Sequence, residues 1–431
     1  MKLRSFFKVT PKIITPKEKR VVLGNFASLS TLQGLGYILP ILILPYLIRI
    51  IGPEKFGLIA FAQAFAQYFM ILADYGFSLS ATRKISLCRG DKEKLCAIFS
   101  SVITVKLILT GVSFLILLAT INLIPRFKQD WLVYILSFGA VAGNTLFPVW
   151  LFQGKEKMSY TAGINAIGGI AYAISVFMLV KTQADYLYVP LLNSLFLLVT
   201  GISGLYIAFR KFGLEFVFQT YEDIQQELKT GWHIFLSIVA INAYTATRVF
   251  AVGLLTNNIL TGYYSIAERI AGFIQSFPMD SFTQAIYPRL NKVFAKNKRR
   301  AIRLMHRAQH YTTTGFVICL PILFFFSPLI TRIICGIGYP EVVLTLRLLI
   351  ISVLLVGANA FKVQFLLASG RTDLYSKLHI AAAFAGLPLI FILIHYFSYL
   401  GAALSTIIIE AGIIIATFRI VKGLTKNAAI L

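Results

Sequence analysis

Charge is scarce in this chain. Asp, Glu, Lys and Arg make up 13% of its 431 residues, while 58% are hydrophobic. Soluble domains carry about 25% charged and about 45–50% apolar residues, so a single aqueous core is excluded and a polytopic membrane protein is expected. The alternating apolar and polar pattern of half-buried strands is missing too, which leaves helices as the spanning element. No G-x-x-x-x-G-K-[ST] string provides a phosphate cradle, so the chain carries no visible ATP-hydrolysing machinery. The four cysteines, Cys88, Cys96, Cys319 and Cys335, have no metal-like spacing and read as structural thiols. His306 and His310 are four residues apart, but no Glu follows His306 and no third ligand lies nearby, so neither a metal nor a cofactor is expected. No Ser/His/Asp set or carboxylate pair has enzymatic spacing.

What is abundant is apolar sequence in long runs. Twelve segments stand out, near 21–48, 57–82, 97–122, 130–152, 160–181, 188–209, 231–254, 259–285, 308–330, 342–367, 379–397 and 400–420. The connection around Ser398 and Gly401 is the tightest. Seven Lys/Arg precede Val21 in the manner of a signal n-region, but no A-x-A cleavage pattern follows, so the first segment reads as a retained span. The net charge is +24. In a soluble chain that would suggest nucleic acid; here the basic residues concentrate in alternate loops. With the N-terminus inside, inside segments hold 30 Lys/Arg and outside loops 6, which puts both termini in the cytoplasm. The basic loop at 286–307 reads as topogenic or as a site for anionic lipid. The domain order expected is a basic cytoplasmic N-terminus (1–20), an N-terminal six-helix bundle (21–215), a cytoplasmic linker (216–230), a C-terminal six-helix bundle (231–420) and a cytoplasmic tail (421–431).

The two bundles echo one another. A shift of 205 residues pairs Gly57, Ala62 and Phe77 with Gly262, Ala267 and Phe282, and also Gln63 with Glu268 and Lys84 with Arg289. A shift of 216 pairs Gly154-Lys155 with Gly370-Arg371. Six spans per repeat is an even number, so the halves share one orientation and are related by a pseudo-two-fold axis along the membrane normal. Two such lobes enclose a cavity and can rock about it.

Five cations fall inside spans: Lys106, Arg248, Arg269, Arg347 and Lys362. Facing lipid at midplane depth they would cost on the order of 12–18 kcal/mol together, so they must face protein, water or the interface. Acidic residues within spans are Asp74, Glu268, Asp280 and Glu410. Polar stripes run through Gln63, Gln67 and Asp74 on the second span, and through Asn242, Thr245 and Arg248 on the seventh. On the eighth, Glu268 and Gln275 share a mixed face with Gly272 and Met279. On the tenth, Asn359 and Lys362 sit one turn apart. These groups are either paired glue between helices or the lining of a cationic cavity suited to an anionic, phosphate-bearing passenger. Glu268 is either a proton- or sodium-coupling carboxylate or the partner of Arg269 or Arg248. Pro40, Pro45, Pro278 and Pro321 are tolerated bends or hinges.

The strings Ile51-Gly52-Pro53-Glu54-Lys55-Phe56-Gly57, Asp74-Tyr75-Gly76-Phe77 with Ala81-Thr82-Arg83-Lys84-Ile85-Ser86, and Trp150-Leu151-Phe152-Gln153-Gly154-Lys155 resemble the Wzx-type polysaccharide flippases of the multidrug/oligosaccharidyl-lipid/polysaccharide (MOP) exporter superfamily. Thr261-Gly262-Tyr263-Tyr264 extends the resemblance into the second half. The resemblance implies an all-α membrane protein of about twelve transmembrane helices in two bundles. It also implies movement of undecaprenyl-diphosphate-linked glycan across a bacterial inner membrane, an ion-gradient drive, and a polysaccharide polymerase and chain-length regulator as partners. Relatives tend to carry an acidic residue just before the arginine of the seventh span; here Thr247 precedes Arg248. The competing readings are a drug/cation antiporter of the same superfamily, which should prefer an acidic lumen, and a membrane polymerase or glycosyltransferase. Such an enzyme usually needs a longer outside loop than 331–341.

Overall fold

The computed structural model describes residues 16–430, with side chains placed from Gly36 to Leu424 apart from Tyr37, Thr372 and several positions between 277 and 296. The described chain is nearly all helix. In order it forms α1 (Pro16–Asp74), α2 (Phe77–Leu87), α3 (Lys92–Leu123), α4 (Pro125–Gln129), α5 (Trp131–Leu146), α6 (Val149–Gly154), α7 (Met158–Leu179), a 3-10 turn (Gln183–Leu187) and α8 (Tyr188–Arg210). The second half is α9 (Tyr221–Thr245), α10 (Thr247–Leu255), α11 (Asn258–Lys296), α12 (Lys298–Phe325), α13 (Ser327–Cys335), α14 (Pro340–Ala368) and α15 (Thr372–Ile430). Seven helical stretches are long and apolar enough to cross a membrane, or nine if the bent pairs α9/α10 and α12/α13 each count as one. The protein is a multi-pass membrane protein.

Two of the longest helices are each a pair in disguise. α1 reverses at Gly52, whose φ of 73° lies in the left-handed region that glycine adopts without a Cβ clash. Pro53 then opens the returning helix with its ring pre-set for a first turn. α15 reverses at Ser398, φ 54°, and Gly401 follows because a Cβ there would stand 2.0 Å from the Leu393 carbonyl oxygen. The tight connection read from the sequence at these residues is this turn. The twelve apolar segments fall on helix, but 57–82, 130–152, 231–254 and 308–330 each run across a break between two helices.

The bends do not fall at the prolines singled out in the sequence. Pro40, Pro45 and Pro321 lie within continuous helix, whereas α9 and α10 meet at 51° at Ala246 and α12 and α13 at 63° at Phe326, just before Pro328 in the first turn of α13. The first bend has a visible cause. Asn242 Nδ2 donates to Ile238 O at 2.9 Å and Thr245 Oγ1 to Ile241 O at 3.0 Å, and such back-bonding to the preceding turn competes with the backbone ladder. The polar face of Asn242, Thr245 and Arg248 is therefore split between two helices.

The turns gather at one end. Lys55 lies over the Tyr186 ring, Tyr263 packs on Tyr339 and Tyr399, and Arg126 Nη1 donates to Thr256 O at 2.8 Å. Arg49 donates in the same way to Ile333 O at the close of α13. Both arginines complement the carbonyl end of a helix from the other half of the chain. At this end one apolar core runs through both halves, from Ile51 and Phe61 to Tyr264 and Leu346. At the other end the core divides. Phe77, Phe99 and Trp150 pack in the first half, Met305, Phe361 and Leu366 in the second, as separate clusters. The halves part there, save where α9 leans on α2 and α3: Lys84 Nζ meets Glu227 Oε1 at 2.6 Å, and Tyr75 stacks on Phe235 at 4.5 Å.

Candidate functional site

Within the first half lies a cavity of about 820 Å³. Its walls come from both arms of α1 and from α5, α7 and α8, and α11 of the second half contributes Arg269. Along the returning arm of α1, Gln63, Ala66, Gln67 and Met70 fall on one helical face and line it. The wall opposite in sequence comes from α7, where Met158, Thr161, Asn165, Gly169 and Tyr172 share a face. The other side of α7 presents Ile167, Ile170 and Ile174 outward, as a lipid-facing surface does.

Arg269 is the cation of this cavity. Its Nη2 donates to Gln63 Oε1 at 2.7 Å, and its guanidinium lies 5.1 Å from the centre of the Phe56 ring. Gln63 and Phe56 hold the head in place without neutralising it, and among the described residues Arg269 has no ion pair.

The other cations predicted inside spans lie outside this cavity. Lys106, 2% exposed, has its Nζ 3.4 Å from Asp74 Oδ1, and Ser78 donates to the second Asp74 oxygen at 2.7 Å. Arg248 sits among α10, α11 and α15. Its Nε is 3.6 Å from Glu268 Oε1, an ion pair beyond hydrogen-bond length, and its Nη1 donates to Thr406 Oγ1 at 2.9 Å. Tyr264 donates to the same Glu268 oxygen at 3.3 Å. Arg347 donates to Ser327 Oγ at 3.0 Å and covers the Phe324 ring, and Lys362 covers the Phe418 ring. Pairing offsets the desolvation that a lone buried charge would incur, and Lys106 and Arg248 have found carboxylates for it.

Of the polar candidates, Gln63 and Gln67 face the cavity with Arg269. Asn242 lines a separate apolar pocket between the halves, with Tyr68, Phe250 and Phe391. Asn359, 3% exposed, donates to Thr417 Oγ1 at 3.3 Å, on the α14–α15 contact.

The sequence reading missed the uncharged polar wall. Ser137 Oγ on α5 and Thr161 Oγ1 on α7 are buried and have no hydrogen-bond partner among the described residues. Asn165 and Asn193 also line the cavity with no side-chain hydrogen bond among the described residues. Leaving the two buried hydroxyls unpaired costs roughly 1–3 kcal/mol each, a cost that a folded protein sustains where a ligand or water completes the bonding; Asn165 is exposed and Asn193 half-buried. The available signal was the spacing Thr161, Asn165, Gly168/Gly169, Tyr172, a polar and small face on an otherwise greasy helix.

Among the described residues, then, this cavity sets one unpaired cation, Arg269, beside amides and hydroxyls. Residues 22–294 match the family described as polysaccharide biosynthesis protein. The chain belongs to this family. A protein of Escherichia coli K12 named as an O-antigen transporter is 30% identical to this family member over 90% of this chain and 93% of its own length. Among solved structures, the lipid II flippase MurJ in an inward closed conformation superposes with a TM-score of 0.73 at 16% identity, over 91% of this chain and 87% of that one. An inward-facing multidrug resistance MATE transporter of the MOP superfamily follows at 0.68 and 14%, over 90% and 99%. The resemblance drawn from the sequence motifs agrees with these findings: the chain is a polysaccharide biosynthesis family member related to O-antigen transporters, with the fold of MurJ and MATE transporters.

Proposed function

We propose that this protein is a flippase that carries undecaprenyl-diphosphate-linked oligosaccharide repeat units across the bacterial inner membrane by alternating access. The observation that carries the reading is Arg269, held by Gln63 and Phe56 but unpaired, in a cavity large enough for a ligand head group. A guanidinium presents a planar fork that matches phosphate oxygens two at a time. A cationic drug would be repelled by the same group, which disfavours the antiporter reading.

The remaining geometry is read as follows. The two hairpins in α1 and α15 and the long α11, added to the nine stretches above, bring the spans to twelve in two bundles of six. Gly57 and Gly262, matched by the internal repeat, touch one another; mates under a two-fold meet only near its axis, so α1 and α11 would flank it. The basic end, where the core divides, is cytoplasmic by the Lys/Arg distribution, and the cavity would load from there while the turn end stays sealed. An ion gradient drives the cycle, and Glu268 is the coupling candidate: a proton on it would release Arg248. A polysaccharide polymerase and chain-length regulator would take up the product.

The test is a translocation assay in proteoliposomes loaded with polyprenyl-diphosphate-linked oligosaccharide. The protein should make inner-leaflet glycan available to an external glycosidase well above the rate of protein-free liposomes. Equal rates with and without protein, with an ion gradient of either sign imposed, would contradict the proposal.

A further inference from the structure

A second, smaller space opens beside the main cavity, between α5, α7 and α8, with a volume of about 280 Å³. The two share Asn165, Gly169, Tyr172 and Asn193 in their walls, so they are neighbours. Asn144 of α5, which is exposed, lines the smaller space, on the helical face that carries Ser137 and Ala140 in the main cavity. Around the junction stand three amides, with the partnerless hydroxyls of Ser137 and Thr161 in the main cavity beside them. None of the three amides makes a side-chain hydrogen bond among the described residues. Small residues bring the helices close enough to form this wall. A Cβ on Gly143 would stand 2.5 Å from the Leu197 carbonyl carbon, and one on Gly168 would stand 2.5 Å from Thr200 Cγ2.

The wall carries no charge. A diphosphate gains nothing there that Arg269 does not offer better, and a hydrocarbon tail would leave every amide unsatisfied. An asparagine side chain offers two donors and an acceptor with two lone pairs. That matches vicinal hydroxyls or an acetamido group, and the Tyr172 ring supplies an apolar face. We propose that the junction of Asn144, Asn165, Asn193 and Tyr172 is a glycan-recognition subsite that takes one neutral sugar ring of the cargo, the ring that follows the diphosphate. The subsite rests on the transport reading above and deepens it. Arg269 holds the part common to all lipid-linked glycans, and this wall distinguishes one glycan from another.

The experiment measures binding of two defined probes to the full chain in nanodiscs: polyprenyl diphosphate, and polyprenyl diphosphate bearing one N-acetylhexosamine. The wild-type protein should bind the glycosylated probe about tenfold more tightly, the worth of one or two hydrogen bonds. The double variant Asn165→Leu/Asn193→Leu should lose that preference while keeping its affinity for the bare diphosphate, which also reports that the variant is folded. The milder Asn165→Ala/Asn193→Ala serves if the first does not fold. Equal wild-type affinities for the two probes, or a preference that survives both double variants, overturns the subsite and leaves the transport reading standing. Failure of the wild-type protein to bind either probe overturns the transport reading and the subsite with it.

Discussion

Replacing Arg269 with alanine is expected to weaken binding of polyprenyl diphosphate by about 30-fold or more, since truncating one partner of a hydrogen-bonded charge contact costs about 2–5 kcal/mol. Cells that depend on this protein should lose surface glycan although the variant reaches the membrane at the normal level. Arg269→Lys restores the charge but not the two-pronged geometry, so it should recover part of the binding and part of the export. Titration of the purified variants with the lipid, alongside immunoblotting of membranes and of surface glycan, checks both statements. Unchanged affinity in Arg269→Ala would remove the guanidinium from the site. The contrast with Arg248 sharpens the expectation. That arginine is engaged by Glu268 and Thr406, so its loss should act first on stability or coupling and leave affinity for the bare diphosphate nearly intact.

The largest structural effect is expected at the crossing of α1 and α11. A Cβ on Gly57 would stand 1.9 Å from Asn258 O, and one on Gly262 would stand 2.0 Å from Pro53 O. Both obstacles are backbone, so neither can swing aside as a side chain would. Alanine at either position must push the helices apart by more than an ångström along their shared contact. Overpacking costs about 1–3 kcal/mol where neighbours can adjust and more where they cannot, so Gly57→Ala and Gly262→Ala should each destabilise by about 3 kcal/mol or more. The two residues act on one crossing, and the double variant should therefore lose less than the sum of the singles. Gly272, also on α11, has nothing within 4 Å of an added Cβ among the described residues, and alanine there should be neutral or slightly stabilising. Thermal melting in detergent or nanodiscs separates these outcomes. A Gly57→Ala variant as stable as Gly272→Ala would show that the crossing is looser than the structure has it.

Much of the architecture was legible before any coordinates. The apolar runs place the helices because a hydrocarbon interior tolerates little else, and Gly52 and Ser398 mark reversals because short polar or glycine links are what a tight hairpin needs. Bends were harder. Pro40, Pro45 and Pro321 drew attention, yet the chain breaks at Phe326, just before Pro328, and at Ala246, where hydroxyl and amide side chains turn back on the preceding carbonyls. The polar stripe of the second span and one cation were the readable part of the site: Gln63, Gln67 and Arg269 face one cavity. Which cations are paired was not readable, since Lys106 meets Asp74 across 32 positions and Arg248 meets Glu268 across 20, separations that carry no period. Asn144, Asn165, Asn193, Ser137 and Thr161 went unmarked because uncharged polar residues recur in membrane helices as interhelical glue. Only the void beside them shows that they have nothing to hold.

The central claim is that Arg269 grips the diphosphate of a lipid-linked glycan inside the first half of the chain. The direct measurement is a structure of the protein in nanodiscs saturated with polyprenyl-diphosphate-linked sugar. The account predicts phosphate oxygens within hydrogen-bond reach of the Arg269 guanidinium, flanked by Gln63 and Tyr172. A diphosphate seated elsewhere, with this cavity unoccupied at saturating ligand, would contradict it.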